Sequence, residues 1–176
     1  MTNAPNTVVR PRTNEDLAPA AAALVRVHHL DGYPVEGVTN PIAWLTPDGL
    51  VEAWVAELDG RVVGHAALVT ATDSDDAARL WSAHSGTPVS EILVLARLFV
   101  DPDARGHKLG EDLTRAIMNA AARRGRPLVL DVMTKDTAAI RLYERLGWKR
   151  IGTVTHTFGD GHETPAVCYV APSLAE

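Results

Sequence analysis

The sequence predicts a mixed α/β domain in which antiparallel strands precede one parallel β-α-β unit and further strands follow it. Three observations carry this. Residues 92–100 and 128–133 are near-continuous apolar runs, the pattern of strands buried on both faces. Between them Leu109, Leu113, Ala116, Ile117 and Ala120 recur at helical spacing. A strand, helix and strand in that order make a crossover whose two strands run parallel. Ahead of this unit, Asp59-Gly60 sits between two strand-like runs and is a strong two-residue turn signal.

Taken in order, residues 8–12 read as a short first strand. Thr13, Asn14, Glu15 and Asp16 offer a helix cap with acids in the first turn. The helix runs from near Leu17 through the Ala-rich stretch 20–30, until Asp31-Gly32-Tyr33-Pro34 breaks it. Asn40 and Pro41 suit the cap and first position of a short helix at about 41–46. Strand-like residues 52–58 and 61–69 flank the Asp59-Gly60 turn. Residues 72–90 are polar and long for a connection, which goes with a functional loop or with a short helix inside it. The helix after residue 100 is the clearest element. Arg115, Arg123 and Arg124 lie off its apolar face, the latter two suit its C-terminal end, and Gly125 and Pro127 stop it. A further helix spans about 137–146, with Ala139, Leu142 and Leu146 on one face and Gly147 as its stop. Strands near 149–158 and 165–171 close the chain.

The chain has 176 residues, 46% hydrophobic and 22% charged, which fits one domain over 1–176 and excludes a disordered or fibrous chain. A single cysteine, Cys168, rules out an intrachain disulfide and zinc sites built on several cysteines. It falls in an apolar stretch and reads as a small core residue. No apolar run approaches the roughly 20 residues of a membrane helix. The first residues lack the basic-then-apolar layout of a signal peptide. A soluble cytoplasmic protein without a membrane partner is therefore expected. The net charge of −5 argues against a nucleic-acid partner. That total hides an asymmetry: residues 1–96 hold 5 basic and 12 acidic side chains, whereas residues 97–150 hold 12 basic and 7 acidic. The basic middle stretch suits an anionic ligand and the acidic remainder a cationic one.

The anion has an obvious seat. Asp101-Pro-Asp-Ala-Arg-Gly-His-Lys-Leu-Gly110 joins the buried strand to its helix. A helix start presents unpaired N–H groups and the positive end of its dipole. Gly106 and Gly110 let backbone approach a ligand closely, and Arg105 and Lys108 add charge, which together suit a phosphate or pyrophosphate. Other phosphate signatures fail on spacing. No Gly-Lys-Ser/Thr occurs for a Walker A loop, and Gly106-x3-Gly110 is not a dinucleotide fingerprint, which would also follow a first strand.

The run from Leu98 to Leu113 resembles the acetyl-coenzyme A motif of the GNAT acyltransferases, Arg/Gln-x-x-Gly-x-Gly/Ala, with Arg105 and Gly110 at its ends and Lys108 in place of the middle glycine. A second segment, Asp136-Thr-Ala-Ala-Ile-Arg-Leu-Tyr-Glu-Arg-Leu-Gly-Trp148, is similar to the family's later motif, Asn-x-x-Ala-x-x-Leu-Tyr-Glu-x-x-Gly-Phe, with Asp136 for Asn and Trp148 for Phe. The two occur in the family's order, one strand apart, and the resemblance covers about residues 50–150. It implies the GNAT fold, a central mixed, mostly antiparallel sheet with one parallel β-α-β unit, flanked by helices. It implies acetyl-CoA as co-substrate and acetyl transfer to a primary amine by direct attack, with no metal. It places Leu98, Phe99, Val100, Arg105, Gly106, His107, Lys108, Leu109, Gly110, Glu111, Asp136 and Tyr143 at the cofactor. The strand ending at residue 100 would splay from its parallel neighbour, and its free backbone groups would grip the pantetheine arm and supply the oxyanion donor.

Tyr143 stands where family members often hold the proton donor to the departing sulfur, and a phenol is a usable donor at neutral pH, its ordinary pKa being about 10. The base is not assigned. Where members often carry a glutamate, two residues before Leu98, this chain has Ala96 followed by Arg97. Glu91, His65, Asp31 and Glu36 are the other candidates. The acceptor pocket is expected from residues 29–40 and 73–90, with Asp31, Tyr33, Glu36, Asp73 and Trp81 as contacts. Its acids would favour a cationic acceptor such as an aminoglycoside, a polyamine or an amino-bearing metabolite. Two other readings stay open: acetylation of a protein N-terminus or lysine, and a non-catalytic acyl-CoA-binding module. His28-His29 point to different helix faces and are poor joint metal ligands. No Gly-x-Ser-x-Gly elbow is present. The last strands offer edges through which a homodimer could form.

Overall fold

The computed structural model describes residues 4–34, 37–158 and 161–172. Among the described residues seven strands form one sheet: β1 (Thr7–Pro11), β2 (Leu50–Leu58), β3 (Arg61–Thr70), β4 (Leu93–Val100), β5 (Leu128–Met133), β6 (Lys149–Phe158) and β7 (His162–Val170). Their order across the sheet is β1-β2-β3-β4-β5-β7-β6. The helices are α1 (Leu17–Asp31), α2 (Pro41–Leu45), α3 (Asp76–Ser85), α4 (Leu109–Arg123) and α5 (Thr137–Arg145). β4 pairs parallel with β5 through Leu93–Leu128 and Val94–Val129, the crossover expected from the two apolar runs around α4. β5 with β7 and β6 with β7 are antiparallel. The fold is the mixed, mostly antiparallel α/β arrangement that the sequence implies.

Contacts group the chain into two compact units, Met1–Leu68 with Ala96–Ile117, and Val69–Leu95 with Met118–Glu176. In the first unit α1 turns Ala20, Ala23, Leu24 and Val27 onto Leu45, Val55, Val62 and Phe99. The small alanines let the helix lie close, and Gly32 in the left-handed conformation ends it. Asn40 caps α2 by accepting from the Ala43 N–H at 3.1 Å. Asp59 and Gly60 both take positive φ, 52° and 81°, as a tight hairpin turn requires.

In the second unit Ala77 and Ala78 of α3 pack with Ile92, Val129, Cys168 and Val170. The polar connection at 72–90 therefore contains a helix. Its apolar signal is weak because two alanines carry its buried face. Cys168 is fully buried in that core, which pushes its thiol up to about 12. β7 begins three residues earlier than expected; Pro165 pairs with Thr155 of the edge strand β6, and a proline near the start of a strand hides its beginning. No helix among the described residues is long and apolar enough to cross a membrane.

Candidate active site

In the first unit the end of β4 turns sharply into α4. Asp101, only 1% exposed, caps the turn by accepting from the Asp103 N–H at 3.0 Å, and Arg26 of α1 donates to it through Nε at 2.6 Å. Burial alone would raise the Asp101 pKa, but the Arg26 and Asp103 hydrogen bonds outweigh it and hold the carboxyl below its usual range. The turn is thus clamped to α1 by a buried charge that needs its partner.

The next residues carry the expected anion seat. Gly106 has φ 89° and nothing within 4 Å of where a Cβ would sit. At Gly110 a Cβ would meet only the Val100 Cγ2, at 3.9 Å. Neither glycine is needed to let protein pack, so the space above both suits a ligand approaching the backbone. The opening amides of α4, at Leu109, Gly110 and Glu111, precede the first intrahelical bond, Asp112 N–H to Lys108 C=O at 3.0 Å. These residues fit a diphosphate. Arg105 donates from Nη2 to Asp31 at 2.5 Å, joining a residue expected at the cofactor to one expected at the acceptor. A guanidinium has five N–H donors, so this pairing does not exhaust it. His107 is half-buried and Leu109 buried under the turn.

Lys108 sits at φ 61°. This is why a glycine suits the middle of the motif, since the left-handed conformation costs a side-chain-bearing residue about 1–2 kcal/mol. Lys108→Gly is expected to raise stability by about 1 kcal/mol, read as a higher denaturant midpoint. A lower midpoint would show that the lysine side chain contributes more than its backbone costs.

Arg97 is also left-handed, φ 56°, in the middle of β4. A network holds it there. His65 Nδ1 lies 2.9 Å from the Arg97 carbonyl, and Arg97 Nε donates to the Trp44 carbonyl at 2.9 Å with its guanidinium 4.6 Å over the Trp44 ring. Arg12 donates to the Leu45 carbonyl at 2.6 Å and to His65 Nε2 at 2.9 Å. Arginine can only donate, so His65 Nε2 accepts and Nδ1 carries the proton. Phe99 stacks on His65 at 5.6 Å, while Tyr33 meets Trp44 edge-on at 5.7 Å. His65 is fully buried with both ring nitrogens engaged, so it is a brace for the kinked strand and has no lone pair to offer as a base.

Burial is the main cause that lowers the His65 pKa to about 4, helped by Arg12 and Arg97 and opposed by its bond to the Arg97 carbonyl. Between an unfolded value near 6.5 and this folded value, the unfolded chain binds a proton that the folded chain does not. Stability present above pH 6.5 is therefore lost as pH falls, by about 3 kcal/mol once pH 4 is reached. Denaturant titrations of His65→Asn, which keeps a donor near Nδ1, are expected to lack that share of the acid slope. Equal slopes in the two proteins would remove His65 as the cause.

In the second unit Tyr143 lies on α5, 5% exposed, against the rings of Trp148 at 5.6 Å and Tyr169 at 6.3 Å. Burial, and then the charges of Asp136 and Asp131, push its pKa well above the ordinary phenol value. It stays protonated, as a donor must. Asp136 occupies the N-cap position of α5, and its carbonyl accepts from the Ile140 N–H at 3.1 Å.

The residues expected at the acceptor fall in different places. Asp31 and Tyr33 belong to the first unit, at and after the end of α1. Glu36 lies outside the described residues. Asp73 is exposed before α3, where its carbonyl accepts from Arg79 at 3.1 Å. Trp81 packs against the second core and lines a cavity of about 530 Å³ with Met118, Ala122, Gly125 and Leu128, beside the C-terminal end of α4. Glu91 is exposed in a short 3-10 turn before β4.

Sequence reasoning missed Asp131 on β5. His156 Nε2 of β6 lies 2.8 Å from its Oδ2, and Asp76 of α3 completes a group whose ligand atoms lie within 4.8 Å of one another. The available signal was a lone acid inside an apolar strand, Leu128-Val-Leu-Asp-Val-Met133.

The description of the Acetyltransferase (GNAT) family matches residues 19–148. The chain belongs to the GNAT family. Its fold agrees with those of solved acetyltransferases. A Salmonella typhimurium protein, yncA, solved with acetyl-CoA, superposes with a TM-score of 0.70 at 19% identity, over 97% of this chain and 95% of that one. The ribosomal-protein-S18-alanine N-acetyltransferase of Escherichia coli gives 0.69 at 21% identity, over 96% and 94%. Among curated relatives, the mycothiol acetyltransferase of Acidothermus cellulolyticus is 36% identical over 113 residues, 63% of this chain and 33% of its own length. A probable N-acetyltransferase camello of Xenopus tropicalis is 34% identical over 98 residues, 55% of this chain and 38% of its own. This GNAT chain therefore spans about a third of the length of the curated relatives it matches.

Proposed function

We propose that residues 1–176 act as one acetyltransferase domain, transferring the acetyl group of acetyl-CoA to a primary amine of a small cationic metabolite or antibiotic by direct attack. The observation that carries this is the turn at 105–110, where two glycines leave open space above helix-end amides beside Arg105 and Lys108. The diphosphate of acetyl-CoA rests there, contacted by residues 105–111, and the backbone of Leu98, Phe99 and Val100 holds the pantetheine arm. Asp136 starts the helix that carries Tyr143, and Tyr143 gives the departing sulfur its proton. The kink at Arg97 turns backbone N–H groups of β4 toward the thioester carbonyl as oxyanion donors.

Asp31 and Tyr33 are the acceptor contacts we retain from the first unit, and Asp73 from the second; Trp81, packed in a core, serves structure. The relatives named mycothiol acetyltransferase favour a small-molecule acceptor over a protein N-terminus or lysine. The enzyme works in the cytoplasm, and the edge strand β6 is the surface through which a homodimer would form. The test is CoA release from acetyl-CoA across a panel holding a polyamine, an aminoglycoside, an amino sugar and a peptide with a free N-terminus. Release with a cationic small amine is expected. Release with the peptide alone would assign the chain to protein acetylation, and binding of acetyl-CoA without any release would make it a binding module.

A further inference from the structure

The acetyl-transfer reading lacks a group to take the proton from the amine, and the inference here rests on that reading. Asp131 stands opposite Cys168 on β7, and Cys168 packs with Val129 under α3, so Asp131 points to the α3 face. On β6, Gly152 pairs with Cys168, so Val154 and His156 follow on that same face, and Val154 joins the α3 core. Tyr143 touches Tyr169, which alternates with Cys168 and so faces the other way. The proton donor and this carboxylate–imidazole pair therefore lie on opposite faces of the same strands. They are near enough that the charge of Asp131 helps keep Tyr143 protonated.

The pair is also open to solvent and set among acids. The side chains of His156 and Asp131 are 34% and 37% exposed. From α3, Asp75 and Asp76 face them, with Arg79 paired to Asp76; from β7 the facing groups are Cys168 and Thr164. Burial raises the Asp131 pKa, Asp76 and Asp75 add to this, and His156 acts against it. Such a setting draws in a cation and leaves a base beside it. With Nε2–H donating to Asp131, the lone pair on Nδ1 is the proton-accepting atom of the ring. The guanidinium on Asp76 makes this group a poor cage for a metal ion.

We propose that the Asp131–His156 pair is the base that deprotonates the incoming amine. An ammonium loses two protons on becoming an amide. The first passes to Nδ1 of His156, which Asp131 orients through Nε2 and which returns the proton to solvent. The freed nitrogen lone pair forms the bond to the thioester carbon as the carbon–sulfur bond breaks. The second proton balances the one that Tyr143 delivers to the sulfur, so the products are the acetylated amine, CoA and one proton in solution.

The test uses Asp131→Asn and His156→Gln on the full chain, after chelator treatment, with the panel amine that the wild type acetylates best and with trifluoroethylamine, which is already neutral at pH 7. Both variants are expected to bind acetyl-CoA as the wild type does. Their kcat/KM for the cationic amine should fall by about 100-fold at pH 7, with the gap closing at high pH or with trifluoroethylamine. Wild-type turnover and an unchanged pH profile in both variants would overturn the base role alone. An equal loss with trifluoroethylamine would also overturn it, making the pair structural. Activity lost on chelation and restored by zinc or manganese would reassign the cluster to a cation. No turnover by the wild type with any amine would overturn the acetyl-transfer reading itself, and this inference with it.

Discussion

Tyr143→Phe is expected to lower kcat for CoA release by roughly 100-fold or more while leaving acetyl-CoA affinity unchanged. The substitution removes one oxygen from a side chain held by Trp148 and Tyr169, so the packing that fixes α5 survives it. What disappears is a hydroxyl whose proton is secured by burial and by the nearby charges of Asp136 and Asp131. A thiolate expelled without that proton leaves against its own charge. Steady-state kcat and calorimetric Kd separate the two effects. A kcat within about twofold of wild type would take the donor role from Tyr143. Because its pKa is displaced upward, Tyr143 should add no falling limb to the pH–rate profile below about pH 10.

The second large effect is expected at Gly110. The surrounding protein leaves room for a side chain there, with Val100 Cγ2 the one near atom at 3.9 Å. Within a helix, a glycine with no packing role is a conformational weakness of roughly 0.5–1 kcal/mol relative to alanine. Gly110→Val should therefore fold about as well as wild type. Its methyl groups would fill the space above the opening amides of α4, where the diphosphate of acetyl-CoA is expected to rest. A loss of affinity near 100-fold corresponds to about 2.8 kcal/mol, within reach of displacing a phosphate from two or three charge-assisted N–H donors.

Much of the fold is legible in the amino-acid pattern because strong periodicity and turn chemistry agree. Two apolar runs around one amphipathic helix specify a parallel crossover, and Asp59-Gly60 specifies a hairpin through backbone signs that few other pairs adopt easily. The helix at Asp76–Ser85 is legible only as one of two readings of an unusually long connection, since its fully buried positions are two alanines. The anion seat could be read because all its parts lie within ten residues. The Asp131–His156 pair could not, since its members are 25 residues apart on two strands that are not neighbours. Nor could the brace around Arg97, which gathers Trp44 from α2, His65 from β3 and Arg12 from the segment after β1. Arg97 occupies a strand position that ordinary alternation treats as extended, and only its dihedral angle reveals the kink.

The claim on which the function rests is that the turn opening α4 holds the diphosphate of coenzyme A. It is tested most directly by calorimetric titration of CoA into wild type and Gly110→Val, with denaturant unfolding of both. Measurable heat for wild type, about 100-fold weaker binding for the variant, and equal stability are expected. Equal CoA affinity in the two proteins, or no heat from the wild type, would contradict it.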